Sequence, residues 1–441
     1  MEKSKQLYPM KFIPIPSERV WGGSDLISKM GKSFVKCDED GNEIPLTVND
    51  KVGESWEIAD MGEQDSVIEN GWLAGNTISE LMETYMERIV GEDVYQYYGR
   101  QFPLLIKFLD IQDRLSVQVH PNDEVAEQRY DSLGKSEIWY IMDAAPGAKV
   151  YMGFNREVTA QELYDRCHNG TVEEILNVVY PKKGDVIYIT PGTVHAADKG
   201  LLVAEIQESS DLTFRLYDWG REFNPKTARK MHLDEAIDLI NYSMFDPSLY
   251  RKGPLWNEEK ECCHEDHGCG CGHHHEEKCG CGHDEIVETL VKSPEFNVNR
   301  IKLSDPLHIY TEKFGRFIIY ICLEGGMTIQ VPAVNGKGEK CMDNYKVNKG
   351  DTILVPADMP DFFLVPTDRD TLLLEGTVDR SEEMDSYINP DTEPYLEDED
   401  YEGLEDEDGC SCGCGHHHEE DCGCGGHGHD HDCGCGHHDS K

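Results

Sequence analysis

The segment SVQVHP, residues 116–121, contains a glutamine and a histidine two positions apart in an otherwise apolar, strand-like run. Successive side chains of a β-strand point to opposite faces, so Gln118 and His120 are expected to share one face. Lys135 and Glu137 repeat this spacing a few residues later, again beside apolar neighbours. Two polar pairs on inward strand faces indicate chemistry rather than packing.

A third polar position, His195, follows the Thr-Pro-Gly turn that ends the strand-like run DVIYIT. Gln118, His120, Glu137 and His195 then offer an amide oxygen, two imidazoles and a carboxylate from three short segments. Nitrogen and oxygen ligands without a thiolate suit Zn²⁺ or another borderline divalent cation, and an exchangeable water would make such a site catalytic. We predict a metal centre formed by these four side chains.

Each of these residues also has a simpler interpretation. A single histidine on a strand is more often a hydrogen-bonded core residue than a ligand, which applies to His120. Glu137 can be an ordinary ion-pair partner of Lys135, and His195 can cap a turn. The metal interpretation is favoured because all of them fall at inward-facing positions together.

Charge and composition exclude several classes of partner. The chain has 441 residues with 41 basic and 86 acidic side chains, a net charge of −45, which argues against binding nucleic acid or an anionic membrane. No apolar run reaches the roughly 18 residues of a membrane helix. The first residues lack the apolar region and cleavage site of a signal peptide. We therefore expect a cytoplasmic protein, and the sequence leaves its oligomeric state open.

The pattern of apolar residues predicts a mainly β fold with a few helices. Capping-box spacing at Thr77–Glu80 opens a helix whose apolar face continues until Gly91, and Thr159 and Thr171 open two more. Residues 233–240 also have helical spacing. Nearly everything else from 102 to 220 has strand character with Gly and Pro turns, which favours a barrel or jelly roll.

An internal repeat predicts two barrels. The segments 181–196 and 347–362 share a Gly-Asp turn, a buried strand and a Pro-containing turn, at an offset of 166 residues, and Asp361 takes the place of His195. The second barrel is therefore expected to lack the metal. The predicted domains are a catalytic domain at 1–255, an insertion at 256–284, a second barrel at 285–380 and an acidic tail at 381–441.

Thirteen of the seventeen cysteines lie in two short tracts, 262–281 and 410–435. GCGCGHHHEEKCGCG and SCGCGHHHEEDCGCG agree at thirteen of fifteen positions. These polar, Gly-rich tracts cannot bury enough apolar surface to fold alone, so we expect them to be disordered without metal. Their ligands suit additional Zn²⁺, Ni²⁺ or Cu⁺, although the spacing is not that of a zinc finger.

Several motifs resemble the type I mannose-6-phosphate isomerases, a zinc-dependent branch of the cupin superfamily. They are LSVQVHP, GKSEIWY, PGTVHA and EIQESSDLTFRLYDWGR, together with ERVWGG, GESWEIA and GWLAG nearer the N-terminus. The resemblance runs from Tyr8 to Arg221 and more loosely to Gly376, and is to the short bacterial form. Thr190-Pro191-Gly192 stands where the family usually has Pro-Ala-Gly, which leaves the following histidine in place.

The resemblance implies two cupin (jelly-roll) barrels and the interconversion of mannose 6-phosphate and fructose 6-phosphate. It also implies particular roles: Gln118, His120, Glu137 and His195 hold one catalytic zinc; Lys135, Glu205 and Arg215 are catalytic; and Ser116, Lys135 and Arg215 contact the sugar phosphate.

The isomerisation moves a proton between C1 and C2 through an enediol, so it needs a base and stabilisation of negative charge on oxygen. Lys135, with a pKa lowered by a nearby cation, and Glu205 are competing candidates for the base. Arg215 suits phosphate or the enediolate. In the simpler interpretations, Lys135 only orients Glu137 and Arg215 is a structural ion-pair partner.

Two other functions remain open at this stage. A non-enzymatic metal store or chaperone would make the Cys/His tracts the functional part of the chain. An isomerase of another phosphorylated aldose is the nearer alternative, because no residue identified here recognises a particular sugar hydroxyl.

Overall fold

Antiparallel β-sheets dominate the fold, as the sequence predicted. The computed structural model describes residues 5–38, 41–254, 287–311, 315–334 and 336–381. Both Cys/His tracts and the acidic tail beyond residue 381 lie outside these ranges, so their predicted disorder and metal binding stay predictions. Within the described ranges, no helix is long and apolar enough to cross a membrane.

Within the residues that the structure describes, sixteen strands precede residue 255 and nine follow residue 286. The first sixteen are β1 Ile15–Gly23, β2 Val35–Cys37, β3 Glu43–Pro45, β4 Val52–Ile58, β5 Asp60–Met61, β6 Gln64–Asp65, β7 Leu104–Ile111, β8 Val117–Val119, β9 Glu137–Ala144, β10 Val150–Phe154, β11 Leu176–Val179, β12 Val186–Ile189, β13 His195–Ala197, β14 Leu201–Glu208, β15 Phe214–Tyr217 and β16 Tyr250–Arg251.

These strands form a seven-stranded sheet of order β1-β4-β7-β14-β9-β12-β16 and a five-stranded sheet of order β11-β10-β13-β8-β15, which we call the first sheet pair. β2-β3 and β5-β6 are separate two-stranded sheets. The central strands β7 and β14 are buried along their whole length, because both faces of the large sheet are covered.

Nine further strands follow residue 286: β17 Val287–Lys292, β18 Asn297–Leu303, β19 Leu307–Ile309, β20 Ile318–Glu324, β21 Gly326–Val334, β22 Lys340–Asn348, β23 Thr352–Val355, β24 Phe362–Pro366 and β25 Thr371–Thr377. They form a five-stranded sheet of order β17-β18-β25-β20-β23 and a four-stranded sheet of order β19-β24-β21-β22, the second sheet pair. The domain boundaries given above stay a prediction.

The α-helices are α1 Asp25–Ser28, α2 Ile78–Tyr85, α3 Glu87–Val90, α4 Glu92–Tyr98, α5 Asp123–Tyr130, α6 Ala160–Asn169 and α7 Leu233–Ala236; 3₁₀ turns occupy Gly71–Leu73, Val172–Ile175, Arg221–Phe223 and Pro247–Leu249. The capping box of α2 and the helix after Thr159 are as predicted.

Three helix predictions were wrong in extent. The predicted helix from 78 to 90 breaks at Met86, whose φ is +48°, and residues 88–90 instead give their carbonyl oxygens to backbone amides of the second sheet pair and its turns. The segment after Thr171 forms only a 3₁₀ turn before β11, and α7 ends at Ala236. The sequence also gave no warning of α5, which Asn122 caps by accepting from the Val125 amide.

Candidate active site

Three strands from two sheets bring the predicted ligands together. His195 begins β13 and pairs directly with Gln118 on β8, both in the five-stranded sheet of the first sheet pair. Glu137 begins β9 in the seven-stranded sheet and faces them. The inward faces of the two sheets therefore meet at these polar residues, where an ordinary β-sheet core would be apolar.

His120, Glu137 and His195 form a tight, fully buried cluster. Their ligand atoms all lie within 4.8 Å of one another. His195 Nε2 is 3.3 Å from Glu137 Oε1, and His120 Nε2 is 3.6 Å from Glu137 Oε2. Such spacing places three ligand atoms around one point, which is the arrangement a divalent cation requires.

Backbone carbonyls orient both imidazoles. His120 Nδ1 donates to the Leu212 carbonyl oxygen at 2.8 Å, and His195 Nδ1 donates to that of Thr193 at 2.9 Å. Each ring then presents Nε2 to the cluster as a lone pair. Burial and the Lys135 ammonium lower the pKa of His120 to about 3, which keeps this imidazole neutral, the form that binds metal.

Glu137 is held as a carboxylate with one oxygen uncommitted. Burial alone would raise the pKa of Glu137, but the Lys135 ammonium holds it well below its ordinary value. Oε2 accepts from Lys135 Nζ, whereas Oε1 is buried and has no hydrogen-bond donor within the described ranges. A buried unpaired carboxylate oxygen beside two imidazole nitrogens fits a cation such as zinc.

Gln118 lies at the edge of this cluster. Its Nε2 is 3.2 Å from His195 Nε2, and its Oε1 accepts from Ser116 Oγ at 3.1 Å. Turning the amide by 180° exchanges oxygen and nitrogen, so the predicted oxygen ligand is within reach of the cluster. Ser116 Oγ also accepts from Arg215 Nε at 3.3 Å, which connects the cluster to Arg215.

A cavity of about 320 Å³ opens beside the cluster. It is lined by Arg19, Trp21, Glu54, Lys107, Leu109, Leu115, Gln118, Lys135, Trp139, Glu205, Asp211, Thr213, Arg215, Arg229 and His232. Five of these side chains are cationic and three are carboxylates. In a chain of net charge −45, this local excess of positive charge suits a small anionic ligand.

Arg215 faces the cavity without a carboxylate partner. Its Nη1 donates to the Lys230 carbonyl oxygen at 2.8 Å, and within the described ranges it forms no ion pair. Burial and the neighbouring Arg229 lower the pKa of Arg215 to about 10. The guanidinium is therefore charged at neutral pH and has a face available to a ligand, so the structural ion-pair interpretation has no partner residue here.

The two candidate bases differ in their surroundings. Lys135 Nζ contacts Glu137 and lies 3.2 Å from His120 Nε2. Burial lowers the pKa of Lys135, but Glu137 and Glu205 outweigh burial and raise it. The lowered pKa expected from the sequence depends on a bound cation and stays a prediction. Glu205 accepts from Trp139 Nε1 at 2.8 Å, and burial followed by the charge of Glu137 raises its pKa.

Sequence reasoning missed one wall of the cavity. Arg19 binds Glu54 through two hydrogen bonds of 3.0 Å. Burial would raise the pKa of Glu54, but Lys107 and Arg19 lower it to about 2. The available signal for Lys107 was a single lysine within the apolar strand LLIKFLDI. Arg19 lies in the motif ERVWGG and Glu54 lies in GESWEIA. Asp211 lies within the motif EIQESSDLTFRLYDWGR, whereas Arg229 and His232 carried no comparable signal.

The fold and site define a β-sheet protein with a buried histidine–glutamate cluster able to hold a metal ion, beside a cationic cavity. A sequence profile of the phosphomannose isomerase type I catalytic domain matches residues 11–162. The mannose-6-phosphate isomerase ManA of Bacillus subtilis (strain 168) is 33% identical over 358 residues, which cover 81% of this chain and 95% of that protein. The chain therefore belongs to the type I phosphomannose isomerase family, a group of aldose–ketose isomerases.

Solved structures agree with this assignment. The crystal structure of the mannose 6-phosphate isomerase from Bacillus subtilis matches with a TM-score of 0.64 and 26% identity, covering 84% of this chain and all of that one (100%). A mutant phosphomannose isomerase from Salmonella typhimurium shares the fold at 14% identity, with a TM-score of 0.59, covering 84% of this chain and 100% of that one.

Proposed function

We propose that this protein interconverts mannose 6-phosphate and fructose 6-phosphate by proton transfer through an enediol, with one zinc ion held by Gln118, His120, Glu137 and His195. The observation that carries the proposal is the cationic cavity, whose lining residues Gln118 and Lys135 contact the buried histidine–glutamate cluster. When bound, zinc supplies a Lewis acid that stabilises negative charge on the sugar oxygens.

The residues that line the cavity have separate roles in the proposed reaction. Arg215, fixed by Ser116 and the Lys230 carbonyl, provides a charged fork for the phosphate or for the enediolate oxygens. Lys135 neutralises Glu137 and so holds the ligand carboxylate in place. Burial of the cluster excludes water from the reacting carbons, which strengthens these interactions.

We assign proton transfer between C1 and C2 to Glu205. Its carboxylate lines the cavity and is oriented by the Trp139 indole, with Lys107 Nζ 3.7 Å away. Its raised pKa brings it closer to the neutral range that suits a general base. Lys135 is a weaker candidate because its ammonium is already committed to Glu137 and His120.

The choice of sugar is the finer part of this proposal. Mannose 6-phosphate is the substrate named for the Bacillus subtilis relative, and a sugar phosphate of that size suits a cavity of about 320 Å³. An isomerase of another phosphorylated aldose would use the same metal and base. A metal store or chaperone has no need of the cationic cavity.

The experiment is to compare the wild-type protein with His120→Ala on a panel of hexose and pentose phosphates, before and after chelation. We expect turnover of mannose 6-phosphate that a chelator abolishes and zinc restores, and a loss of at least 10³-fold in kcat/KM for His120→Ala. Bound zinc is measured by mass spectrometry on the same samples.

A variant that lacks residues 410–441 is the control for the Cys/His tracts, where additional Zn²⁺, Ni²⁺ or Cu⁺ is expected. It should keep most of the activity while binding fewer ions per chain. Equal turnover by the wild-type protein and His120→Ala would refute the proposed site. Many bound ions with no turnover on any sugar phosphate would identify a metal store.

A further inference from the structure

The two sheet pairs repeat one arrangement of nine strands. The sheet order β4-β7-β14-β9-β12 corresponds to β17-β18-β25-β20-β23, and β11-β10-β13-β8 corresponds to β22-β21-β24-β19. The corresponding strands also follow one another in the same order along the chain in both sheet pairs. The second sheet pair therefore has an inner face built like the one that carries the active site.

Strand register aligns individual residues of the two inner faces. In the first sheet pair, Lys107 pairs with Glu205, which pairs with Trp139. In the second, Asn299 pairs with Glu375, which pairs with Tyr320. On the next strand, Trp139 pairs with Ile187 in the first sheet pair and Tyr320 pairs with Ile353 in the second. The two isoleucines are 166 residues apart, which is the offset of the sequence repeat. Glu375 thus takes the place of Glu205.

The metal ligands do not recur in this alignment. By the same register, Ile318 takes the place of Glu137. In the sequence repeat, Asp361 takes the place of His195. The histidine–glutamate cluster of the first sheet pair is the only one of its kind within the described ranges. Polar chemistry is kept in the second sheet pair, but without the ligand set.

These polar residues lie between the two sheets. The Tyr320 ring packs against Phe362 of the opposite sheet, with ring centroids 6.4 Å apart. Glu375 pairs with both Tyr320 and Asn299 on the neighbouring strands, so all three side chains point between the two sheets. Asn299 Nδ2 donates to the buried Glu375 carboxylate at 2.9 Å. Asn297 and Thr377, which pair directly two residues further along, point the same way.

A recess of about 270 Å³ opens at this end of the inner face. Its walls include the amides of Asn297 and Asn299, the hydroxyls of Thr289 and Thr377, and the cation Lys292. Amide and hydroxyl groups in a shallow recess match the hydroxyls of a sugar, which both donate and accept. An ordinary β-sheet core would hold apolar side chains here.

Two groups in this recess lack partners within the described ranges. Asn297 Oδ1 is buried and accepts no hydrogen bond. Lys292 is exposed at the rim and forms no ion pair, whereas Arg316 is neutralised by Asp379 at 2.5 Å. An acceptor without a donor is costly, so turning the Asn297 side chain toward the recess, where a ligand hydroxyl can donate to it, is favoured, and the Lys292 ammonium favours an anionic group at the rim.

We propose that the second sheet pair binds a second small molecule in this recess, a phosphorylated sugar or sugar alcohol. Its hydroxyls bond to Asn297, Asn299 and the two threonines, and its phosphate faces Lys292. The proposal does not depend on the isomerase activity, because it rests on the lining of a separate recess.

The test is calorimetric titration of the full-length protein with glucitol 6-phosphate, which has no carbonyl group and is not isomerised. We expect two molecules bound per chain in the wild-type protein. Asn297→Leu should leave one, and Lys292→Glu should weaken one of the two sites at least tenfold. Both variants should keep wild-type kcat on mannose 6-phosphate.

Lys302→Glu is the matched control, because it makes the same charge change on β18 without lining the recess. Titrations with neutral glucitol and with inorganic phosphate separate hydroxyl from phosphate recognition. Binding of one or two molecules that is unchanged by both Asn297→Leu and Lys292→Glu would overturn the proposal, whereas a single site that both variants weaken would support it. If the wild-type protein binds two molecules but turns over no sugar phosphate, the proposed isomerase activity is refuted and the second binding site is not.

Discussion

At the scale of single residues, the chemistry depends on how burial and neighbouring charges give similar side chains different pKa values. Glu137 and Glu205 are both fully buried, yet the pKa of the first is lowered and that of the second is raised. The difference arises because the Lys135 ammonium lies beside Glu137, whereas Glu205 experiences the negative charge of Glu137. One carboxylate is therefore suited to bind a cation and the other to carry a proton.

Replacing Glu205 by Gln tests this division. We expect kcat to fall by about 10² to 10⁴-fold, because a positioned general base contributes that much, with a smaller change in KM and unchanged bound zinc. Lys135→Gln should instead lower the bound zinc, because the Glu137 carboxylate loses the hydrogen bond from Lys135 Nζ that holds it in place. Both are measured by steady-state kinetics, by metal analysis and by deuterium uptake from solvent into the product.

The opposite outcome identifies the other base. If Lys135→Gln keeps its zinc but loses deuterium exchange, while Glu205→Gln still exchanges, then Lys135 transfers the proton. In that case Glu205 is only an electrostatic neighbour of Lys107.

At the scale of elements, two threonines with the same sequence spacing form different structures. Thr77 accepts from the Glu80 amide and the Glu80 carboxylate accepts from the Thr77 amide, which completes a capping box. Thr171 makes no such side-chain bond, and its segment turns into β11 after one 3₁₀ turn. The motif predicts a helix only where the following residues have room for a second turn.

These two threonines therefore respond differently to alanine. We expect Thr77→Ala to lower the free energy of unfolding by about 1 kcal/mol, the usual cost of a lost N-cap. Thr171→Ala should change it by less than about 0.5 kcal/mol. Urea unfolding of the full-length proteins measures both, and equal losses would show that the capping bond contributes nothing.

At the scale of the whole molecule, a buried arginine joins the two sheet pairs. Arg300 on β18 is completely buried and donates to the carbonyl oxygens of Gly184 at 2.7 Å and Gly253 at 2.9 Å. It also forms an ion pair with Glu288 at 2.6 Å. The Gly-Asp turn of the first repeat is thus anchored to the second sheet pair.

Arg300→Leu should destabilise the protein by about 3–5 kcal/mol, because it leaves the buried Glu288 carboxylate with less compensation. Lys183→Ala is the matched control: Lys183 also bridges the two sheet pairs, through Glu324, but on the surface. Loss of the Lys183–Glu324 ion pair should lower the free energy of unfolding by less than about 1 kcal/mol. Thermal and urea unfolding are compared, and similar small losses would show that Arg300 is not an anchor.

The sequence alone determined the mainly β fold and the set of side chains that meet in the cluster. It could do so because alternation along a strand depends only on neighbouring residues, and because polar residues on inward faces are rare enough to stand out. Gln118, His120, Glu137 and His195 were predictable for that reason.

Only the tertiary structure decided what surrounds them. Arg19, Lys107 and Arg229 reach the cavity from β-strands and a loop that are distant in sequence, and their approach depends on sheet order rather than on local pattern. The contacts of residues 88–90 have the same origin, since their carbonyl oxygens accept from backbone amides of the second sheet pair and its turns. Long-range register and competing hydrogen bonds are properties of the folded chain, so no local pattern contains them.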